Sequence, residues 1–252
     1  MSEAIDLREP KRRVIKAPAV RRAELLDCAQ RLFLTKGYEK TTINDVIAAA
    51  GLSKGAFYHH FTAKEDLLEA IAQGFSREAM SSIAVVQEDA SLNALQRLNM
   101  LLAMSREWKV EHLPQLRAMF TVLLRPENAV LYHRIVAAVF AVMGPTIALI
   151  IEQGVDEGIF DVVDPMTAAE ALLGLGEGRR SIVVRAMAAA EAGDVDGATE
   201  VIMRRVRAEE QIIDRILGLA PGGVDLAGSA GVIRAMLEVW SRPSGGDYAG
   251  RS

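Results

Sequence analysis

The chain has 252 residues, half of them hydrophobic but only 5% aromatic, with a formal net charge of -4. Its apolar residues are mainly Ala, Leu, Val and Ile, and most prolines sit near the termini or apparent helix ends, so an all-α fold is predicted, with one large core or a small domain beside a larger one. The lone Cys28 excludes an internal disulfide and a cysteine framework for zinc, and fits a reducing, cytoplasmic setting.

The net charge hides an asymmetry. Residues 1–66 carry twelve Lys/Arg against nine Asp/Glu, while 67–252 carry seventeen against twenty-four. A basic head on an acidic body suits nucleic-acid binding at one end.

Residues 1–20 lack helical periodicity and read as a flexible basic arm, either a solvated tail or a segment touching DNA backbone. No apolar core there resembles a secretory signal. From Arg21, the spacing of Leu25, Ala29, Leu32 and Phe33 predicts an amphipathic helix that Gly37 stops. Thr42 and Asp45 have capping-box spacing ahead of a two-turn helix, which Gly51 ends. Ser53 caps a third short helix running to about Phe61, and Thr62 with Glu65 forms a T-x-x-E box for a fourth, carrying Leu67, Leu68, Ile71 and Phe75 inward.

Further helices are predicted at roughly 92–109, 113–124, 127–157, 165–190 and 195–219, with a short amphipathic segment around Val232, Met236 and Trp240. The uncharged run Ile135–Ile151 falls just short of the ~18 apolar residues of a membrane span. Gly144 and Pro145 interrupt it, so it reads as a buried helix of a protein without a membrane partner. The resulting organisation is an arm at 1–20, a four-helix unit at 21–75, a larger helical unit at 76–221, and a tail at 222–252.

At 100° per residue, Ser53, Phe57 and Phe61 share one side of the third helix, while Gly55 and His59 lie opposite, flanked by Ala56 and Tyr58. An apolar anchor behind and small or hydrogen-bonding residues in front are what a major-groove helix needs. Gly55 costs about 1 kcal/mol relative to Ala inside a helix, and its missing side chain lets another backbone approach.

The stretch TTINDVIAAAGLSKGAFYHHFTAKEDLLEAI, preceded by LLDCAQRLFLTKGYEK, resembles the DNA-binding domain of the tetracycline-repressor (TetR/AcrR) family of bacterial transcriptional regulators, with the match over residues 25–71. The resemblance implies a helix-turn-helix domain joined to a larger helical ligand-binding and dimerisation domain. It further implies that Thr42 and Ser53 bond phosphates, that Tyr58 and His59 reach the backbone, and that Lys64 clamps a phosphate. Lys54, Gly55 and Ala56 would then lie closest to base edges. The expected partners are double-stranded operator DNA, a second copy of the chain, and a small hydrophobic or aromatic effector. In the same resemblance the last two long helices form a four-helix bundle with those of a dimer mate, the alternative being burial within one subunit. Met100, Met104, Trp108, Met119, Phe120, Tyr132, Phe140 and Met143 lie on the helices that would enclose the effector, as an adaptable apolar set.

Other chemistry finds little support. His59, His60, His112 and His133 assemble no H-E-x-x-H, and the chain has no G-x-S-x-G and no P-loop, so neither an enzyme, a metal site nor a cofactor is expected. GLGEG at 174–178 reads as small residues for close helix packing, and Arg204, Arg205 and Arg207 with Glu209 and Glu210 read as a solvated face of ion pairs. Cys28 reads as a packed thiol without a basic partner one turn away. A regulator controlled by a protein partner and an enzyme with a hidden site are the rival readings.

Overall fold

A computed structural model describes residues 17–89 and 91–241, apart from the side chains of 82–88. Residues 1–16 of the expected arm and the tail beyond 241 lie outside the described residues. Within them the regular elements are α1 (Pro18–Thr35), α2 (Ile43–Ala50), α3 (Lys54–His60), α4 (Lys64–Glu88), α5 (Ala94–Glu111) and α6 (Leu113–Leu123). After a 3-10 turn at Pro126–Asn128 come α7 (Ala129–Asp156), α8 (Pro165–Gly178), α9 (Arg180–Glu191), α10 (Val195–Ile216) and α11 (Ala230–Ser241).

Residues 18–20, expected in the arm, form the first turn of α1, because Pro18 suits a first helical position. The fourth helix starts one residue later than the T-x-x-E reading requires. Asp66 rather than Glu65 receives the Thr62 N–H at 2.8 Å, the Thr62 hydroxyl at 2.6 Å and the Ala63 N–H at 3.0 Å. The helix expected over 165–190 breaks at Arg179, after a run whose Gly174, Gly176 and Gly178 weaken helix propensity.

Two main cores form. Leu25, Ala29 and Phe33 of α1, Val46 of α2 and Phe57 of α3 join Leu67, Ile71 and Phe75 of α4, and the cluster continues into Val122, Leu123, Leu131, Tyr132 and Ile135 of α6 and α7. Because α4 runs unbroken through residues 75 and 76 and both its sides are shared, the head is packed onto the body rather than tethered to it. The second core gathers Leu98 and Leu101 of α5, Ile147 and Ile151 of α7, Ala169 of α8, Ile213 of α10 and Leu217 just past its end.

Helix α7 is the one helix among the described residues that is long and apolar enough to cross a membrane, with mean hydropathy 2.2 across its most apolar stretch. Its buried residues, from Leu131 to Gly154, face the two cores. Close packing fixes its end: a side chain on Gly154 would collide with the Phe160 ring, which folds back there as the chain turns toward α8. Beyond α10, α11 buries Leu237 and Trp240 against the body, with the Arg117 guanidinium 5.8 Å from the indole.

Much of the apolar stripe of α10 is used inside the subunit. Val206, Ile213 and Leu217 are buried, while Ile212 remains exposed. Glu209, expected on a solvated face, is fully buried: Arg205 Nε donates to its Oε1 at 2.6 Å, and Arg179 Nε lies 2.6 Å from its Oε2, although poorly aligned for a hydrogen bond. The sequence pattern missed this because Arg179 arrives from the break between α8 and α9. Cys28 is buried, as read, but Arg31 one turn on donates to its sulfur at 3.2 Å, a partner the sequence reading overlooked.

Candidate nucleic-acid interface and internal cavity

The interface is built on two short helices joined by a tight turn. Thr42 starts α2 with a reciprocal cap: its hydroxyl accepts from the Asp45 N–H at 3.1 Å, and Asp45 accepts the Thr42 N–H at 2.7 Å and hydroxyl at 2.8 Å. Lys36, 2.6 Å away, and the Thr42 bonds hold the Asp45 carboxyl down at about 2, so the cap is fully charged at neutral pH. Gly51 ends α2 with φ +63°, a left-handed conformation that side chains disfavour. Ser53 then caps α3 by accepting from the Ala56 N–H at 3.2 Å.

Phe57, with no exposed surface, and Phe61 behind it pin α3 to the head, their rings 6.0 Å apart. Burying one such ring contributes roughly 1.5–3 kcal/mol, which a seven-residue helix needs because it is far too short to persist alone. The outer side is then open. Thr42, Ser53, Lys54, Gly55, Tyr58 and His59 are all exposed and Ala56 is half-buried. A side chain built on Gly55 would meet nothing within 4 Å, so that point of the helix faces free space. Lys54 lies with its ammonium 5.9 Å from the Tyr58 ring. His60 is half-buried, and burial, with His59, Arg22 and Arg21 nearby, pushes its imidazolium down toward the neutral form.

Lys64 is more engaged than a simple phosphate clamp. Its ammonium donates to the Tyr38 carbonyl at 2.9 Å and the Thr41 carbonyl at 3.2 Å, and sits 4.1 Å from the Tyr38 ring centre. Two of the three N–H donors of an ammonium therefore brace α4 against the α1–α2 turn, leaving one donor over.

Between α5, α6, α7, α8 and the segment after α10 lies a cavity of about 670 Å³, within the usual ~300–1,000 Å³ of small-molecule sites. Four of the eight residues expected to enclose an effector, Phe120, Tyr132, Phe140 and Met143, line it. The other four do not. Met100 is exposed, Met104 packs on the second core, and Trp108 and Met119 pack on the first. Trp108 instead stacks on His112, ring centres 4.1 Å apart, and meets Phe75 of α4 at 5.5 Å.

The face of α5 that lines the cavity carries Leu98, Leu101, Leu102, Ser105 and Lys109. At 100° per residue this face is turned roughly a third of a revolution from Met100, Met104 and Trp108. The i, i+3, i+7 and i+11 spacing of Leu98, Leu101, Ser105 and Lys109 was the available signal, outweighed by the attraction of methionine and aromatic types. Gly174 and Gly176 of the GLGEG run also line the cavity rather than allowing helices to touch, with no atom within 4 Å of a side chain built on Gly174.

Comparison with known proteins accords with this arrangement. Residues 25–71 match the family described as bacterial regulatory proteins, tetR family, and residues 117–179 match a tetracyclin repressor-like C-terminal domain. The HTH-type transcriptional repressor KstR2 of Rhodococcus jostii is 47% identical over 55 residues, 22% of this chain and 27% of that protein. KstR2 of Mycobacterium tuberculosis H37Rv is 35% identical over 92 residues, 36% and 45% of the two chains. These matches thus span less than half the length of those relatives. Two solved structures share the fold: a TetR-family regulator from Syntrophomonas wolfei (TM-score 0.53, 19% identity, 78% of this chain and 96% of that one) and the fatty acid degradation regulator FadR of Bacillus halodurans (0.50, 17%, 94% and 99%). Taken with the capped helix-turn-helix and the helical body behind it, these matches establish that the chain belongs to the tetR family of bacterial regulatory proteins.

Proposed function

We propose that the chain is a cytoplasmic transcriptional repressor that binds operator DNA as a homodimer and is released when a small apolar molecule occupies the cavity among α5–α8. The observation that carries the DNA-binding part is the outer side of α3, where Lys54, Gly55, Tyr58 and His59 are exposed while Phe57 and Phe61 anchor the helix from behind. Thr42 and Ser53 cap the N-termini of α2 and α3, and N–H groups at helix starts favour phosphate, which supports their assignment to the DNA backbone. Lys54 and Ala56 take the positions from which a helix reads bases, Lys54 as donor to a guanine edge and Ala56 against a thymine methyl. Thr42, Ser53, Tyr58, His59 and the remaining donor of Lys64 hold the backbone.

The KstR2 relatives are named transcriptional repressors, which supports repression as the sense of regulation. The layout supports release at a distance. The cavity lies among helices beyond residue 94 and α4 connects it to the DNA side, packing on α7 and carrying Phe75 against Trp108. A shift of α4 would alter the spacing of the two heads of a dimer and cost one half-site.

Selection of bound sequences from random duplex DNA, followed by footprinting and determination of protein stoichiometry, tests this reading. An inverted repeat bound by two chains, with half-sites ~34 Å or a multiple apart, is expected. Recovery of no enriched sequence, or of a single half-site held by one chain, would overturn it.

A further inference from the structure

Lys109 enters the cavity from the last turn of α5. Lys109 is exposed by surface area, yet enough protein surrounds it that desolvation pushes its ammonium down to about 8, with Arg179 and Arg106 adding to the effect. Among the described residues no acceptor hydrogen-bonds this ammonium and no carboxylate pairs with it.

The neighbouring charges are already assigned. Arg106 holds Asp225 at 3.2 Å, Arg179 touches Glu209, and the cavity-lining Glu177 lies 2.8 Å from His133 Nδ1. Glu170 is an exposed member of the lining, and Tyr132, whose hydroxyl burial pushes up, is covered by the Arg180 guanidinium 4.8 Å from its ring. One end of the cavity is therefore cationic and short of an anion, while Leu98, Leu101, Phe140, Met143 and Ile147 make the rest apolar. Solvent reaches Lys109 and the carbonyl end of α5 favours its charge, but neither supplies the missing anion. The complementary occupant is an anion on an apolar body.

We propose that the cavity takes an amphipathic carboxylate, its acid group against Lys109 and Arg179 and its apolar body along Leu98, Leu101, Phe140 and Met143. This names the chemical class of the effector and rests on the effector reading only for its consequence at the operator. Binding is measured without DNA, by calorimetric titration of the full chain with dodecanoate and with dodecan-1-ol, matched in length but not in charge. Dodecanoate is expected to bind more tightly, on the order of tenfold or more, as one charge-assisted contact supplies. Lys109→Met should remove most of that preference and Lys109→Arg should keep it. Should Lys109→Met fail to give a cooperative melt, the wild type alone decides: the preference should decline as pH rises from about 7 to about 10 and Lys109 loses its proton. Equal affinity for acid and alcohol, binding of neither, or a preference that Lys109→Met or high pH leaves intact would overturn the proposal. A separate titration of operator-bound protein distinguishes the two readings, since a carboxylate that binds through Lys109 yet leaves operator affinity unchanged supports this site and removes the effector role.

Discussion

Replacing Glu209 by Ala should unseat the junction of α8, α9 and α10. The carboxylate has no exposed surface, and each oxygen lies 2.6 Å from a guanidinium nitrogen, Arg205 on its own helix and Arg179 at the break between α8 and α9. Removing one partner of a buried pair typically costs 3–5 kcal/mol, because the other charge is left uncompensated. Here two cations are left, but their side chains are 27% and 34% exposed and regain some water, so the lower end, about 3 kcal/mol, applies. For a chain of this size that corresponds to a Tm lowered by roughly 6–12 °C. Glu209→Gln, which keeps the shape and one acceptor oxygen, should lose less. Circular-dichroism melts at fixed protein concentration measure both variants. A Glu209→Ala melt within about 1 °C of wild type, well inside that range, would refute the reasoning that this buried triad holds α8 and α9 to α10.

Phe75→Ala should weaken communication between cavity and operator while retaining the fold, because Phe75 is the α4 residue that meets Trp108, the neighbour of the cavity-lining Lys109. Titrating a bound carboxylate against free and operator-bound protein should give a smaller affinity ratio in the variant, and linkage requires operator and ligand to weaken each other by the same factor. Acid stability should depend on Asp66. Burial pushes its carboxyl up, but the bonds from the Thr62 hydroxyl and N–H, Arg134 and the Ala63 N–H outweigh it and hold the group at about 2, below its ordinary 3.8. A carboxyl depressed on folding stabilises the protein above its unfolded pKa, and that contribution is lost as pH falls from near 4 toward 2. Tm measured across that window should therefore drop more steeply in wild type than in Asp66→Asn.

Legibility differed between the two halves of the molecule. In the head, capping residues, the Gly51 turn and the alternation of Phe57 and Phe61 with small outer residues are local signals, and they located α2 and α3 to within a residue. The start of α4 was misread because Thr62 can be capped from position 65 or 66, and the second is supported by the Ala63 N–H, at 3.0 Å, and by Arg134 of α7, at 3.1 Å. In the body, helices were visible from their periodicity, but which face meets a cavity is decided by neighbours far away in sequence. Residue type misdirected the reading toward Met100, Met104 and Trp108, whereas the cavity is lined by the less conspicuous Leu98, Ser105 and Lys109. Glu209 was similarly opaque, since the arginine that buries it lies thirty positions earlier, at a helix break that no capping residue announces.

The most direct test of the central claim is competition binding of wild type and Lys54→Ala to the selected operator, to single-base-pair variants of it and to scrambled duplex, at several salt concentrations. Wild type is expected to prefer its operator over scrambled DNA by about 10³ or more. Lys54→Ala should relax discrimination at one base pair per half-site by about 1–3 kcal/mol while leaving the other positions ranked as before. Equal binding of operator and scrambled duplex by wild type, or a Lys54→Ala loss spread evenly over every sequence, would contradict the claim.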